Sequence, residues 1–281
     1  MSGPVMTKEA NLSVIVPQIW SRRYYDVLLA DLPFNSIVSR DWEGEIANLG
    51  DRVKISTFPE FSDATELAED ASNDADTLTV TQQDLIINKR IVKDFKITNQ
   101  ALLQSLPAMD KLREHAIFAI MKRMQRIIID DIAPSASSPD HSISYTGAGG
   151  SLAFADILAG KRLLDAANNP MSGRHIVLGA DATNDVFNIS NFTSSDFVTG
   201  NSLITTGQLQ NALLGFVPHF TTEVGSVSFL FHSSFYTMAA QQGLQIREYD
   251  LGVDGSRAAR VNVDTLAGFK QLDNLRVVSI S

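Results

Sequence analysis

Five histidines, His115, His141, His175, His219 and His232, have the widest chemical range of any residues in this sequence. None falls in an H-E-x-x-H motif, and no two stand at metal-ligand spacing along the chain. Each reads as a surface or hydrogen-bonded core residue. The chain has 0 cysteines, which excludes disulfides, thiolate zinc sites, iron–sulfur clusters and cysteine nucleophiles. Gly147, Gly149 and Gly150 resemble the start of a phosphate loop, but the third glycine of G-x-G-x-x-G would fall on Leu152. Gly160-Lys161 lacks the upstream glycine of a P-loop and is followed by Arg162. No G-x-S-x-G nucleophile elbow is present. Asp250 and Asp254-Gly255 hint at a calcium loop, but Gly252 stands where an oxygen ligand is needed, and a turn is the better reading. Asp130 and Asp131 are adjacent on a helix and diverge, which suits a helix end better than a carboxylate pair. Asn191-Phe192-Thr193 fits a glycosylation acceptor, which has meaning only in a secreted protein. The residues point to no enzyme, no cofactor and no metal.

The one strong constellation is electrostatic. From Ile55 to Asn88 there is no Lys or Arg, while the stretch holds Glu60, Asp63, Glu66, Glu69, Asp70, Asp74, Asp76 and Asp84. The whole chain has a formal net charge of −9, so the remainder is close to neutral. Lys111, Arg113, Lys122, Arg123 and Arg126 lie close together further on. One reading is a solvated acidic loop and an ordinary exposed helix face. The sharper reading is that Glu66, Glu69, Asp70, Asp74 and Asp76 of one copy dock on Lys111, Arg113, Lys122, Arg123 and Arg126 of another.

The elements that would position these charges follow from periodicity. The 281 residues are 44% hydrophobic and 20% charged, enough to bury a real core. No apolar run approaches the ~18 residues of a membrane span, and the first residues lack a signal-peptide core, so no membrane partner is expected. The acidic balance disfavours a groove that grips nucleic acid by phosphate neutralisation. Residues 1–45 read as an arm, interrupted by Pro4, Pro17 and Pro33, with a short apolar patch from Ile19 to Leu28. Val53 and Ile55, then Leu78 and Val80, alternate with polar residues as strands do, and further strand signals follow at 85–87 and 95–97. Two such arms of ~15 residues would reach roughly 50 Å, too far for a compact chain and suited to lying on another subunit. The spacing of Met109, Leu112, Ala116, Ile120, Met124 and Ile127 predicts a long helix, with Ser105 as N-cap and Pro134 ending it. Residues 134–150 read as a linker. Beyond it, Ser151 caps a predicted helix over 152–167, with a strand at 175–178, a helix at 181–187 and a strand at 227–231. A helix is expected from Ser233 to Gly243, then strands at 244–249, 260–263 and 275–280.

This order of parts resembles the major capsid protein of tailed double-stranded DNA bacteriophages, the Johnson capsid fold shared with encapsulins. Asn48-Leu49-Gly50-Asp51-Arg52-Val53-Lys54-Ile55 resembles the G-D-x-V-x-I opening of the extended loop. Leu85 to Asn99 and the helix 109–132 resemble its return strand and the spine helix. Gly173 to Gly179 resembles the strand after the first axial-domain helix. Gly207 to Pro218 resembles the G-x-x-x-x-x-x-G-F-x-V segment, and His232 to Ala240 the helix after it. The resemblance implies an α+β fold with an N-terminal arm (1–45), an extended β-hairpin loop (46–98), a peripheral domain with the spine helix (99–150 and 251–281) and an α+β axial domain (151–250). It implies many copies, as hexamers and pentamers, closing an icosahedral head shell around packaged double-stranded DNA that they contact loosely. It also implies host-cytoplasmic assembly, a scaffolding protein and a portal protein, and leaves room for a decoration or cement protein. The arm is too short to contain a large cleaved scaffolding segment, so a separate scaffolding protein is expected. Two rivals remain at this point: an encapsulin-type nanocompartment with the same fold, and an unrelated α+β hydrolase, which the missing His- or Ser-based site disfavours.

Overall fold

The computed structural model describes residues 29–46, 50–59, 61, 63–64, 66, 69, 77–98, 106–189, 192, 213–250 and 258–281. In chain order these form α1 (Phe34–Ile37), α2 (Glu43–Ile46), β1 (Arg52–Thr57), β2 (Thr81–Ile86), β3 (Lys89–Thr98), α3 (Leu106–Asp131), β4 (Ser142–Ile143) and α4 (Phe154–Ala166). Then follow β5 (Arg174–Leu178), α5 (Ala180–Asn188), β6 (Val217–Phe220), β7 (Ser228–His232), β8 (Tyr236–Asp250), β9 (Ala258–Gln271) and β10 (Val277–Ile280). They build a β1–β2 hairpin, a three-stranded sheet ordered β3-β9-β8, and a five-stranded sheet ordered β4-β10-β7-β5-β6. The mixed helix and sheet content is α+β, as the sequence implied.

The spine helix α3 is 26 residues long, about 39 Å at 1.5 Å per residue. Its Ala116, Ile120, Met124 and Ile128 recur every four residues and are buried on one stripe. That stripe enters a core shared by both larger sheets, with Val177, Phe229, Phe231 and Val277 from one and Ile91, Met238, Val261 and Val263 from the other. The opposite face of the five-stranded sheet packs α4 and α5 through Ile157, Leu164, Ile176, Ala182, Leu230 and Val278. Gly160 lets α4 approach closely: a Cβ there would sit 3.3 Å from the Leu230 side chain and 3.6 Å from that of Val278. The main core therefore draws on segments expected in both the peripheral and the axial domain.

The structure differs from expectation in five places. The helix predicted from Ser233 to Gly243 is a single 3₁₀ turn, Ser233–Phe235, followed by the 15-residue strand β8. Ala, Gln and Met favour helix locally, but Tyr236 and Met238 enter the main core while Ala239 fills a pocket under the hairpin. Pairing with β9 from Tyr236 opposite Gln271 to Asp250 opposite Ala259, with register shifts between Ala240 and Gln245, takes up most of the backbone, and tertiary burial overrides propensity. The hairpin is shorter than predicted. β1 and β2 pair over 6 residues each, about 20 Å, and Leu78 and Val80 lie outside strands, exposed.

The last part of the predicted arm belongs to the core: Phe34 is fully buried, its ring stacked on Phe231 at 5.3 Å between centroids. The linker is stitched to the chain end, because β4 pairs in parallel with β10 and buried His141 reaches the Val277 carbonyl through Nδ1 at 3.1 Å. Helix α4 starts at Phe154, not under a Ser151 cap; the buried Asp156 carboxylate accepts the N–H groups of Ala153 and Thr146 instead. The predicted patch at 19–28, Ser105, Asp254, Asn191 and 207–212 lie outside the described residues.

Candidate inter-subunit surface

The hairpin sits on a small core of its own. Val53 and Ile55 of β1 and Leu85 of β2 point the same way, because directly paired residues of antiparallel strands share a face. They pack with Ile46, Ile87 and Ala239, flanked by Trp42, Leu266 and Leu272. The chain crosses β9 at very short range: a Cβ on Gly268 would meet the Ile86 carbonyl oxygen at 2.6 Å and Ile87 Cδ1 at 2.8 Å. Gln83 Nε2 donates to the Leu272 carbonyl at 2.9 Å, and Gln241 Nε2 to the Gly50 carbonyl at 3.0 Å. The base of the hairpin is therefore held by its own subunit. Past it, Phe58 and Phe61 are 74% and 68% exposed. Two phenyl rings in water on one short segment form an apolar feature that folding of the subunit leaves uncovered.

Of the predicted acidic residues, Glu66 and Glu69 are described and exposed, while Asp70, Asp74 and Asp76 lie outside the described residues. The five predicted cations all lie on α3, as expected, but four engage carboxylates of their own chain. Lys122 Nζ and Arg126 Nε grip Glu223 at 2.8 and 2.7 Å. The Glu223 side chain is only 7% exposed; burial alone would raise its pKa, yet the hydrogen bonds from Lys122 and Arg126 outweigh that and hold the carboxyl below its usual value. Arg113 bonds both Glu248 of β8 and Asp110, and Lys111 bonds Glu114 at 3.2 Å. Arg123 makes no ion pair with a described residue; it lines a shallow depression with Lys89, Ile127, Asp130, Asp131 and Phe269. Asp131 accepts the Tyr236 hydroxyl at 2.9 Å, the helix-end role expected of it.

Sequence reasoning missed Glu223, which neutralises half of the basic pair Lys122/Arg126 from a 3₁₀ turn 97 residues away. No local signal marks it, because the contact depends on how β6 and the following turn lie against α3. It also missed that His175 and His219 come together, with Nδ1 and Nε2 3.1 Å apart on adjacent strands. Among the described residues no group of three or more His, Cys, Asp or Glu could hold a metal ion, and no helix is long and apolar enough to cross a membrane.

A long spine helix, a hairpin carrying exposed aromatics, and two sheets sharing one core define a structural building block with surfaces left for other chains. Comparison with known proteins gives the family. The family described as "Phage capsid protein" matches residues 39–281, and the chain belongs to it. It is a major capsid protein, a structural subunit of the phage head shell. Among solved structures, one from Mycobacterium phage Che8 superposes with a TM-score of 0.77 at 20% identity, covering 95% of this chain and 97% of that one. The capsid of Cyanophage P-SCSP1u gives 0.75 at 9% identity, covering 96% and 94%, and a structure from Gordonia phage Cozz gives 0.74 at 13%, covering 100% and 98%. At such identities the likeness is one of fold. No curated protein matches the sequence.

Proposed function

We propose that copies of this chain assemble in the host cytoplasm, as hexamers and pentamers, into the icosahedral shell of a tailed phage around double-stranded DNA. A scaffolding protein would guide assembly, a portal protein would occupy one vertex, and a decoration or cement protein would bind outside. The acidic character of the subunit, with a net charge of −9, suits a container that holds DNA loosely.

The observation that carries the reading of assembly is the exposed hairpin tip. Phe58 and Phe61, 74% and 68% exposed, anchor the loop of one subunit on the next. Glu66, Glu69, Asp70, Asp74 and Asp76 set its position against the spine-helix face of that neighbour. Four of the five helix cations already hold carboxylates of their own chain, so Arg123 is the first to receive the loop. A single exposed pair contributes about 0–1 kcal/mol, and burying a phenyl ring about 1.5–3 kcal/mol. The rings therefore carry most of the contact and the charges its register. The test compares Phe58→Ser/Phe61→Ser with Arg123→Glu in assembly followed by light scattering. The double phenylalanine variant should stop at subunits or capsomers, and Arg123→Glu should slow assembly, more at 0.1 M than at 1 M salt. Normal shells from the double variant would refute the anchoring role.

A further inference from the structure

We propose that His175 and His219 form a two-ligand site for a divalent transition metal of the Zn²⁺ and Co²⁺ class at one edge of the five-stranded sheet. Strands β5 and β6 pair in parallel, with His175 opposite Val217 and Val177 opposite His219. Both histidines thus stand on one face of the sheet, one step apart on the diagonal. His175 Nδ1 lies 3.1 Å from His219 Nε2. Two nitrogens bound to one tetrahedral ion at about 2.0–2.1 Å each stand roughly 3.3 Å apart, so the separation already matches that of a ligand pair, and rotation of the rings aims both lone pairs at one ion.

The surroundings favour that geometry. Phe231, opposite His175 on β7, stacks on its ring at 5.9 Å between centroids and restricts its orientation. β6 is the terminal strand of the sheet, and both rings are partly exposed, so an ion can reach them. Imidazole binds metal only when neutral. The contact between the two ring nitrogens holds one proton, and a change of tautomer moves it to the far nitrogen so that both can ligate. Imidazole ligands suit zinc, copper and nickel as well as cobalt, and water fills the positions that two side chains leave open.

The test titrates the full-length protein with Co²⁺, followed by visible absorption, and with Zn²⁺ by calorimetry. We expect one equivalent per chain at micromolar affinity. His219→Ala and His175→Gln should each weaken binding at least tenfold, and His115→Ala, on the spine helix, should leave it unchanged. Because His175 packs on Phe231, circular dichroism accompanies each variant, and His219→Ala at the sheet edge decides the matter if His175→Gln is unstable. Binding by the native protein no tighter than millimolar, or undiminished binding by His219→Ala, would overturn the proposal and leave a hydrogen-bonded histidine pair.

Discussion

The five-stranded sheet and the β1–β2 hairpin are both β structure, yet they bury their side chains in opposite ways. Strand β7 is buried at Ser228, Phe229, Leu230 and Phe231, and β10 at Val277, Val278 and Ile280, so both faces of the sheet are covered within the chain. β1 alternates, burying only Val53 and Ile55, and β2 buries Leu85. The first pattern makes a region whose two faces are both covered by other parts of the same chain. The second makes one that is seated on the subunit by one face and leaves the other exposed, with Phe58 and Phe61 exposed beyond it. On the assembly proposed above, the difference separates residues that serve folding from residues that serve assembly, and each prediction below tests that separation.

The largest effect belongs to the two-faced sheet. Leu230 is fully buried between α4 and Val278, and Leu230→Ala should lower stability by about 2–5 kcal/mol in chemical unfolding. A loss under 1 kcal/mol would mean the sheet face is packed more loosely than described. Next, removing residues 60–76 should leave the far-ultraviolet circular dichroism and the solubility of the subunit nearly unchanged, while shell yield collapses. If the deleted chain unfolds instead, the loop serves folding and the separation is wrong.

A smaller effect is expected where the two regions meet. Gly268→Ala places a methyl group 2.6 Å from the Ile86 carbonyl oxygen, and backbone cannot yield as a side-chain tip can. We expect a cost of about 1–3 kcal/mol with the main core intact, read as a lowered urea midpoint with unchanged slope. An unchanged midpoint would show that the hairpin base sits further from β9. The smallest effect concerns Glu223. Its folded pKa is depressed, so the stability it contributes is present above its ordinary value of 4.5 and lost as pH falls through the folded value. Glu223→Gln should cost about 1 kcal/mol at pH 7, and the gap to the native protein should narrow as pH falls below about 4.5. A gap that stays constant down to pH 3 would contradict the ion-pair account.

The parts legible in the sequence were those whose signal is local and periodic. The stripe from Ala116 through Ile120 and Met124 gave α3, and the run His175 to Leu178 gave β5, because each buries its apolar residues at its own helical or strand spacing. The segment from Tyr236 to Leu244 misled because Ala, Gln and Met favour helix locally, while the pairing that makes it a strand lies in β9, across the chain. The acidic loop and the basic helix were both legible as charge runs. What could not be read was their bookkeeping within the fold: Glu223 and Glu248 reach α3 from distant elements and occupy Lys122, Arg126 and Arg113. The His175–His219 contact was hidden for the same reason, since it needs β5 and β6 side by side.

The most direct test of the central claim is negative-stain electron microscopy of the purified chain after size exclusion, with the 60–76 deletion imaged beside it. The account predicts closed shells, hundreds of ångströms across, from the native chain and only subunits or small capsomers from the deletion. Shells of normal size from the deleted chain, or a clean monomer from the native one, would contradict it.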